Sequence, residues 1–365
     1  MTYKPLNEND VVSTRTLLHE AIPLTGTIVS GTYDDNNIKN YTHGMFQSVY
    51  DYPYLSSSAN HIFDITIGLS SVGSNLFDST TVQAVKKKNI YNQMAQVLMG
   101  YDATGSILRF DEDGNLLDGG RKVNNVFFLN FSRLLVKDEI KKGTFELELG
   151  IDDAYAQNGA VFNNRIKITD YSASLASPSY LVNSPAGEYG ILSATGSKGT
   201  DVTGLAQRYS VGLIFYQAGI AVISGSVFND TALGGILNNT LNSTNLSSTS
   251  GPSGFQFVSG SEISSSADAI RNRIYNLQFN NTTELNSTVY FCRANHNEFN
   301  YSSNPTYVSG SKIRVKSQST DNPVSYITTV GLYNDNNELM ATAKLSEPLK
   351  KSPDTEFTIR ARLDY

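Results

Sequence analysis

Apolar positions along the chain recur mostly in short runs or in strict alternation, the spacing of strands rather than helices. Val126-Phe-Phe-Leu-Asn-Phe is a continuous apolar run of the kind a buried strand carries. Thr144-Phe-Glu-Leu-Glu-Leu-Gly alternates instead, placing Phe145, Leu147 and Leu149 on one face and Glu146 and Glu148 on the other, wet face. The stretch Val211–Phe228 is uncharged for eighteen residues, near the lower limit for a membrane span. Gln217-Ala218-Gly219 divides it into two β-prone runs, Val211–Tyr216 and Ile220–Ser224. This predicts a buried hairpin with glycine in the turn, ahead of a mixed core element or a membrane-active segment.

The part up to about residue 78 alternates short apolar or aromatic runs with turn signals, predicting short strands or extended segments. The last hundred residues read as β throughout: Ser287–Arg293, Lys312–Gln318, Val324–Tyr333, Glu338–Leu345 and Glu356–Leu363. The turn Asn334-Asp-Asn-Asn and the alternation of Phe357, Ile359, Ala361 and Leu363 carry that reading, and they predict a compact β-domain. One strong helix is predicted over Thr80–Met99. Its stripe is Val82, Val85, Ile90, Met94, Val97 and Leu98, with Ser79 or Thr80 as cap and Gly100 as its end. A short one is predicted over Ala267–Leu277, through Ala267, Ile270, Ile274 and Leu277. Residues 172–209 read as loop, and residues 229–266 form a long Ser/Thr/Asn/Gly excursion, either solvated or wrapped on a neighbouring subunit. Ile107–Leu117 reads as strand, acidic turn, strand; Asp111-Glu-Asp-Gly lacks the full calcium-loop spacing.

The expected fold is mainly β with a few helices, an α+β chain of antiparallel sheets or β-sandwich modules. It is divided into a mixed β domain (1–150, with the helix at about 80–99), a middle β region with the polar excursion (151–285) and an all-β C-terminal domain (286–365). The composition agrees, since only 17% of the 365 residues are charged and 39% are apolar, which leaves a large Ser, Thr, Asn and Gln share for polar outer faces and turns. A net charge of −6 with scattered basic residues lacks the footprint that phosphate neutralisation needs, so nucleic acid is not an expected partner, and neither is membrane. The one dense basic run, Lys86-Lys87-Lys88, reads as a solvated helix face. The first ten residues lack an apolar stretch of signal-peptide length, so synthesis and retention in the cytoplasm of the producing cell is the expectation.

Candidate chemistry is sparse. Cys292 is the single cysteine and sits in a strand-like run; His296, four residues on, makes a local pair without an orienting third group. His19, His43, His61 and His296 do not have zinc spacing, and no Gly-x-Ser-x-Gly or phosphate-binding glycine loop occurs. Glu146 and Glu148 share a wet face, with nothing to push their acidities apart. No catalytic residue, cofactor or metal is therefore assigned. Aromatic surface is the remaining signal: Trp is absent, while Tyr is used 21 times and Phe 17 times. Tyr50, Tyr52 and Tyr54 crowd around Pro53, and Tyr326 and Tyr333 bracket a strand. These five tyrosines are the candidate interface residues.

Three long phrases carry a resemblance. They are Val126-Phe-Phe-Leu-Asn-Phe-Ser-Arg-Leu-Leu-Val-Lys-Asp-Glu-Ile-Lys-Lys-Gly, Gly212-Leu-Ile-Phe-Tyr-Gln-Ala-Gly-Ile-Ala-Val and Asn295-His-Asn-Glu-Phe-Asn-Tyr-Ser-Ser-Asn-Pro-Thr. The chain resembles virion structural proteins of tailed bacteriophages, especially contractile-tailed phages of marine cyanobacteria, over about residues 13–365, least well at 229–266. In addition, Ile327-Thr-Thr-Val-Gly-Leu-Tyr-Asn-Asp-Asn-Asn-Glu-Leu-Met-Ala is similar to the strand, acidic turn, strand unit of phage tail-fibre attachment domains, though its turn has no glycine. The resemblance implies a non-enzymatic virion protein at the baseplate or tail-fibre junction, found in the phage tail. Its partners would be other tail, baseplate, fibre or neck subunits, and it would be a homo-oligomer or present in multiple copies. A neck or capsid-associated protein, a receptor- or glycan-binding module and a virion-associated hydrolase are the alternatives.

Overall fold

A computed structural model describes residues 3–23, 35–71, 81–111, 122–150, 165–174, 181–195, 209–228, 262–271, 274–302, 304, 306–310, 312–313, 316 and 318–365. In chain order the strands begin with β1 (Val11–Pro23), β2 (Ile38–Asn40), β3 (Gln47–Tyr50), β4 (His61–Leu69), β5 (Asn125–Phe131) and β6 (Glu139–Ile140). Next come β7 (Glu146–Gly150), β8 (Arg165–Thr169), β9 (Leu181–Ser184), β10 (Gly187–Thr195), β11 (Tyr209–Phe215) and β12 (Ile220–Ser224). The last six are β13 (Ile274–Ala294), β14 (Val308–Ser309), β15 (Lys312–Ile313), β16 (Ser325–Tyr333), β17 (Leu339–Lys351) and β18 (Phe357–Asp364). The α-helices among the described residues are α1 (Val82–Leu98), α2 (Arg133–Val136) and α3 (Ile263–Arg271). The chain is mainly β with a helical minority and large antiparallel pairings, as its patterning predicts.

The chain divides into two units: residues 18–283, the core unit, and residues 1–17 with 284–365, the terminal unit. Strands from both of the expected segments 1–150 and 151–285 interleave in the sheet of the core unit. Its order runs from the first part of β13 through β7, β8, β10, β11, β12, β5, β4 and β3 to β2. The middle of this sheet is made of continuous apolar runs, because strands covered on both faces cannot afford alternation. Val126, Phe127, Phe128 and Leu129 of β5 are all buried, as are Val211, Leu213, Ile214 and Phe215 of β11. The predicted hairpin is β11 and β12, joined through Gly219 at φ 68°. A Cβ at Gly219 would lie 2.7 Å from a Val136 methyl, so the turn needs glycine for space as well as backbone angle. The alternating segment 144–150 is β7, with Phe145, Leu147 and Leu149 buried and Glu146 held 2.7 Å from Lys167 on the outer face.

Helix α1 lies against β4. It is capped by Thr81, whose Oγ1 accepts a bond from the Ala84 amide at 3.3 Å, one residue beyond the expected caps. It stops at Gly100, at φ 82°, whose amide reaches back to the Ala95 carbonyl. Its inward face keeps Ile90, Met94 and Leu98 of the expected stripe but not the valines: Val82, Val85 and Val97 are exposed, while Ala84, Lys87, Tyr91 and Ala95 are buried. Close approach decides this. The helix lies so near β4 that a Cβ at Gly68 would fall 3.1 Å from the Tyr91 Cβ, and alanines tolerate that spacing where valines would not. The Tyr91 hydroxyl then donates to the Val123 carbonyl at 2.6 Å and accepts from the Phe110 amide at 3.3 Å. Lys87 consequently is no solvated residue; its side chain is fully buried and desolvation pulls its ammonium down to about 8.

Two further expectations are corrected. Residues 181–184 and 187–195, within the expected loop, form the β9–β10 hairpin, closed by Ser184 Oγ, which donates to the Gly187 carbonyl at 2.9 Å. A register shift between Leu192 and Ser193 breaks the alternation, which is why the run does not read as a strand. The short helix ends at Arg271, and Ile274 and Leu277 belong to β13, where a shift between Ile274 and Asn276 reproduces a helix-like spacing of three within a strand. At 107–111 the described structure consists of single bridges, Tyr101 to Ile107 and Asp111 to Lys122. The acidic turn at 112–115, and the polar excursion over 229–261, lie outside the described residues.

In the terminal unit β13 pairs antiparallel with β18, from Ser287 opposite Asp364 to Ala294 opposite Phe357. β16 and β17 form a separate two-stranded sheet, and within the expected strand 312–318 the residues 312–313 form β15, paired with β14, while 314, 315 and 317 lie outside the described residues. The turn between β16 and β17 manages without glycine. Asn337 takes the left-handed conformation at φ 64°, and Asn334 Oδ1 accepts the amides of Asn336 and Glu338 at 3.1 and 2.8 Å. Residues 1–17 and 284–365 form a compact unit, but among its described residues the buried apolar side chains are Val289, Ala294 and Ala361.

Candidate functional site

The five tyrosines chosen from sequence fall into two groups, one in each unit. In the core unit, Tyr50 ends β3 and the ten-residue connection to β4 carries Tyr52 and Tyr54. Asp51 fixes that connection: its carboxylate accepts the Asn60 amide at 2.6 Å and the Asn60 side chain at 2.8 Å. The Tyr54 amide bonds to the Asn36 carbonyl at 2.9 Å. Tyr50 is thereby held between the rings of Tyr54, at 6.3 Å, and His61, at 5.5 Å, while Tyr52 and Leu55 stand exposed. Burial, and then the neighbouring Tyr41, push the Tyr50 phenol up.

A second aromatic group, not singled out in the sequence, sits beside β2 and β3. Tyr41 and His43 stack at 5.1 Å, Phe46 lies 4.7 Å from Tyr41, and the Lys39 ammonium is 4.8 Å from the Tyr41 ring centre. A tight turn brings these rings together, a pattern legible only once the turn is known.

Strand pairing of β3 with β4 also brings a serine to a histidine and an aspartate that lie three residues apart. Ser48 Oγ donates to Asp64 Oδ1 at 2.6 Å, and His61 Nε2 lies 2.8 Å from the same oxygen. Both therefore converge on the carboxylate. A serine that spends its proton on an aspartate is not activated by the imidazole, because nucleophilic catalysis needs the base between hydroxyl and acid. The Cys292–His296 pair is likewise unproductive. The thiol is pushed up by burial and by the Asp10 carboxylate, while His296 Nδ1 faces Glu356 at 3.1 Å. A third cluster is buried: Asp170 accepts the amides of Gly143 and Phe145 at 2.6 and 3.0 Å and the Tyr216 hydroxyl at 3.0 Å. Burial raises the Asp170 carboxyl and the Tyr216 phenol, and the bonds tie the β6–β7 turn to the end of β11. Among the described residues no group of three or more His, Cys, Asp or Glu is placed to hold a metal ion, and no helix is long and apolar enough to cross a membrane.

In the terminal unit Tyr326 and Tyr333 occupy opposite ends of β16 and both are exposed. Tyr3, missed in the sequence, lies edge-on to Tyr333 at 4.8 Å, and Leu339 and Met340 extend the exposed surface along β17. The hairpin is half-buried at Ile327, Val330, Leu332, Leu345 and Leu349, and no residue of it is buried except Ser325 and Lys351 at its base. That base is held by polar contacts. Lys351 Nζ donates to Asn300 Oδ1 at 2.7 Å and to the carbonyls of Ser352 and His296 at 2.9 and 3.2 Å, and Ser325 Oγ donates to the Phe299 carbonyl. Asp10 and Arg293 pair at 2.6 Å elsewhere in the unit, which holds the Asp10 carboxyl below the usual carboxylate range. The arrangement suits binding: rigid rings and open strands on a polar base, with no reacting groups brought together at the hairpin.

Comparison of the chain with family models, with curated proteins and with solved structures returned no match.

Proposed function

We propose that the protein is a structural subunit of a tailed phage virion, at the baseplate or the tail-fibre junction, which acts by binding other virion subunits. The observation that carries this reading is the terminal unit: a long hairpin and extended strands whose apolar residues are largely half-buried or exposed, with three buried apolar side chains among its described residues. Surface of this kind is the mark of a chain completed by its neighbours. The resemblance of three long phrases to virion proteins of tailed phages supplies the setting. Immunogold labelling of intact particles with antibody to the purified protein tests it. Label at the distal tail is expected; label at the neck or head would move the protein to a connector or capsid role, and unlabelled particles would sink the virion reading.

The aromatic groups of the core unit favour a second reading, a receptor- or glycan-binding module. Tyr52 is exposed beside the Tyr50–Tyr54 pair, and exposed rings on a fixed loop are suited to stacking on sugar faces. A glycan array probed with the purified protein separates the two: binding lost on Tyr52→Ala supports the receptor role, and an empty array removes it.

A further inference from the structure

The β16–β17 sheet has two outer edges, and they differ. The β17 edge carries Pro348, Lys344, Glu347, Lys350 and Lys351, the devices by which a strand edge is kept from pairing. β16, Ser-Tyr-Ile-Thr-Thr-Val-Gly-Leu-Tyr, has no charge and no proline, and six of its nine residues are β-branched or aromatic. β1, β17 and β18, by contrast, contain Arg15, Lys344 and Arg360. Two strands are also too few for a hairpin to be stable in water without further cover.

From this asymmetry we infer that β16 pairs antiparallel with β16 of a second copy of this chain, about a two-fold axis through Thr329. The inference rests on the assembly reading above and names one of its partners. Three observations select a second copy. The first is charge: residues 1–17 and 284–365 contain 11 Lys and Arg and 11 Asp and Glu, so the remaining 17 and 23 carry the whole net charge of −6. A neutral unit of mixed sign meets its own copy without repulsion, whereas the core unit does not. The second is symmetry. A two-fold axis normal to the sheet must pass through a facing residue pair, and this keeps the half-buried Val330 and Leu332 of both copies on one continuous face. Thr329 is the centre of the strand and is exposed. The third is area. Tyr3, Tyr326, Tyr333, Leu339 and Met340 are about half exposed, which places on the order of 500 Å² of apolar surface at the hairpin. With the backbone of a nine-residue strand, this approaches the roughly 800 Å² per partner of a standard interface.

The test uses the full chain with Cys292→Ser, which removes the native thiol. Adding Thr329→Cys is expected to give a disulfide-linked dimer on mild oxidation, since facing residues at the axis lie within disulfide reach. Thr329→Lys, at an exposed position, is expected to weaken dimerisation at least tenfold by sedimentation while circular dichroism stays unchanged. Thr329→Cys without a cross-link, or a dimer indifferent to Thr329→Lys, overturns the pairing, as does a monomer at micromolar concentration. Distal-tail label on virions together with any of these results would sink the pairing and leave the assembly reading in place. A cross-linked dimer with unlabelled virions would do the reverse.

Discussion

The two units are built from the same strand vocabulary and arrive at opposite solutions. The core unit sandwiches apolar runs such as Val126–Phe131 and Val211–Tyr216 until 45 side chains among the described residues form one buried cluster. The terminal unit, with strands at least as long, leaves Val11, Val12, Leu17, Tyr326 and Met340 exposed and holds itself through Lys351, Asp10–Arg293 and the pairing of β13 with β18. What separates them is coverage rather than propensity. A strand becomes core when other elements lie on both its faces, and among the described residues the hairpin pairs only as the two-stranded β16–β17 sheet, with its apolar residues half-buried or exposed. Local stability therefore ought to differ steeply between the units.

The sharpest way to break that contrast is Gly212→Ala. An added Cβ would lie 2.0 Å from the Val222 carbonyl oxygen, a backbone atom that no rotamer change can move. The β11–β12 pair must part, and a loss of about 3 kcal/mol or more is expected in chemical denaturation. A mild effect would mean that the core unit is looser than its burial states.

Lys87 offers a pH test of the same core. Its folded value near 8 lies below its ordinary 10.5, so between these values the unfolded chain binds more protons and stability rises with pH, by up to about 3 kcal/mol. Below pH 8 the slope from this group vanishes. Lys87→Met is expected to flatten the rise, read as urea midpoints between pH 8 and 10; an unchanged slope would refute the assignment.

Lys351→Met sharpens the other side. Three acceptors, Asn300 Oδ1 and the carbonyls of His296 and Ser352, lose their donor, costing about 1–3 kcal/mol. Amide exchange should accelerate across β16–β18 and stay unchanged in β5, β11 and β12. Smallest of all, Asn334→Ala removes the acceptor for two turn amides and should cost about 1 kcal/mol, confined to exchange rates in β16 and β17.

Much of the fold was legible because local pattern and final burial agree. The hairpin around Gly219, the strands β5 and β7, and the alternation Phe357, Ile359, Ala361, Leu363 each show their environment in their own residues. Legibility failed where bulges shifted the period, at Leu192–Ser193 and Ile274–Asn276, and where steric fit overruled hydrophobicity, on α1. Among the candidate interface residues, Tyr326 and Tyr333 could be picked because they flank an uncharged run. Tyr3, Leu339 and Met340 could not, since exposure depends on what fails to cover them.

By itself, then, the sequence determined the strand-rich class, the positions of strands such as β5, β7, β11, β12, β16 and β18, the glycine of the buried hairpin and the Asn-rich turn, all set by interactions a few residues apart. Tertiary structure decided which strands are neighbours, that residues 1–17 join residues 284–365, that Lys87 is buried while Val82 is not, and that Ser48 and His61 share Asp64. Those outcomes depend on contacts between residues far apart in the chain, where packing volume and desolvation, not local preference, choose among alternatives.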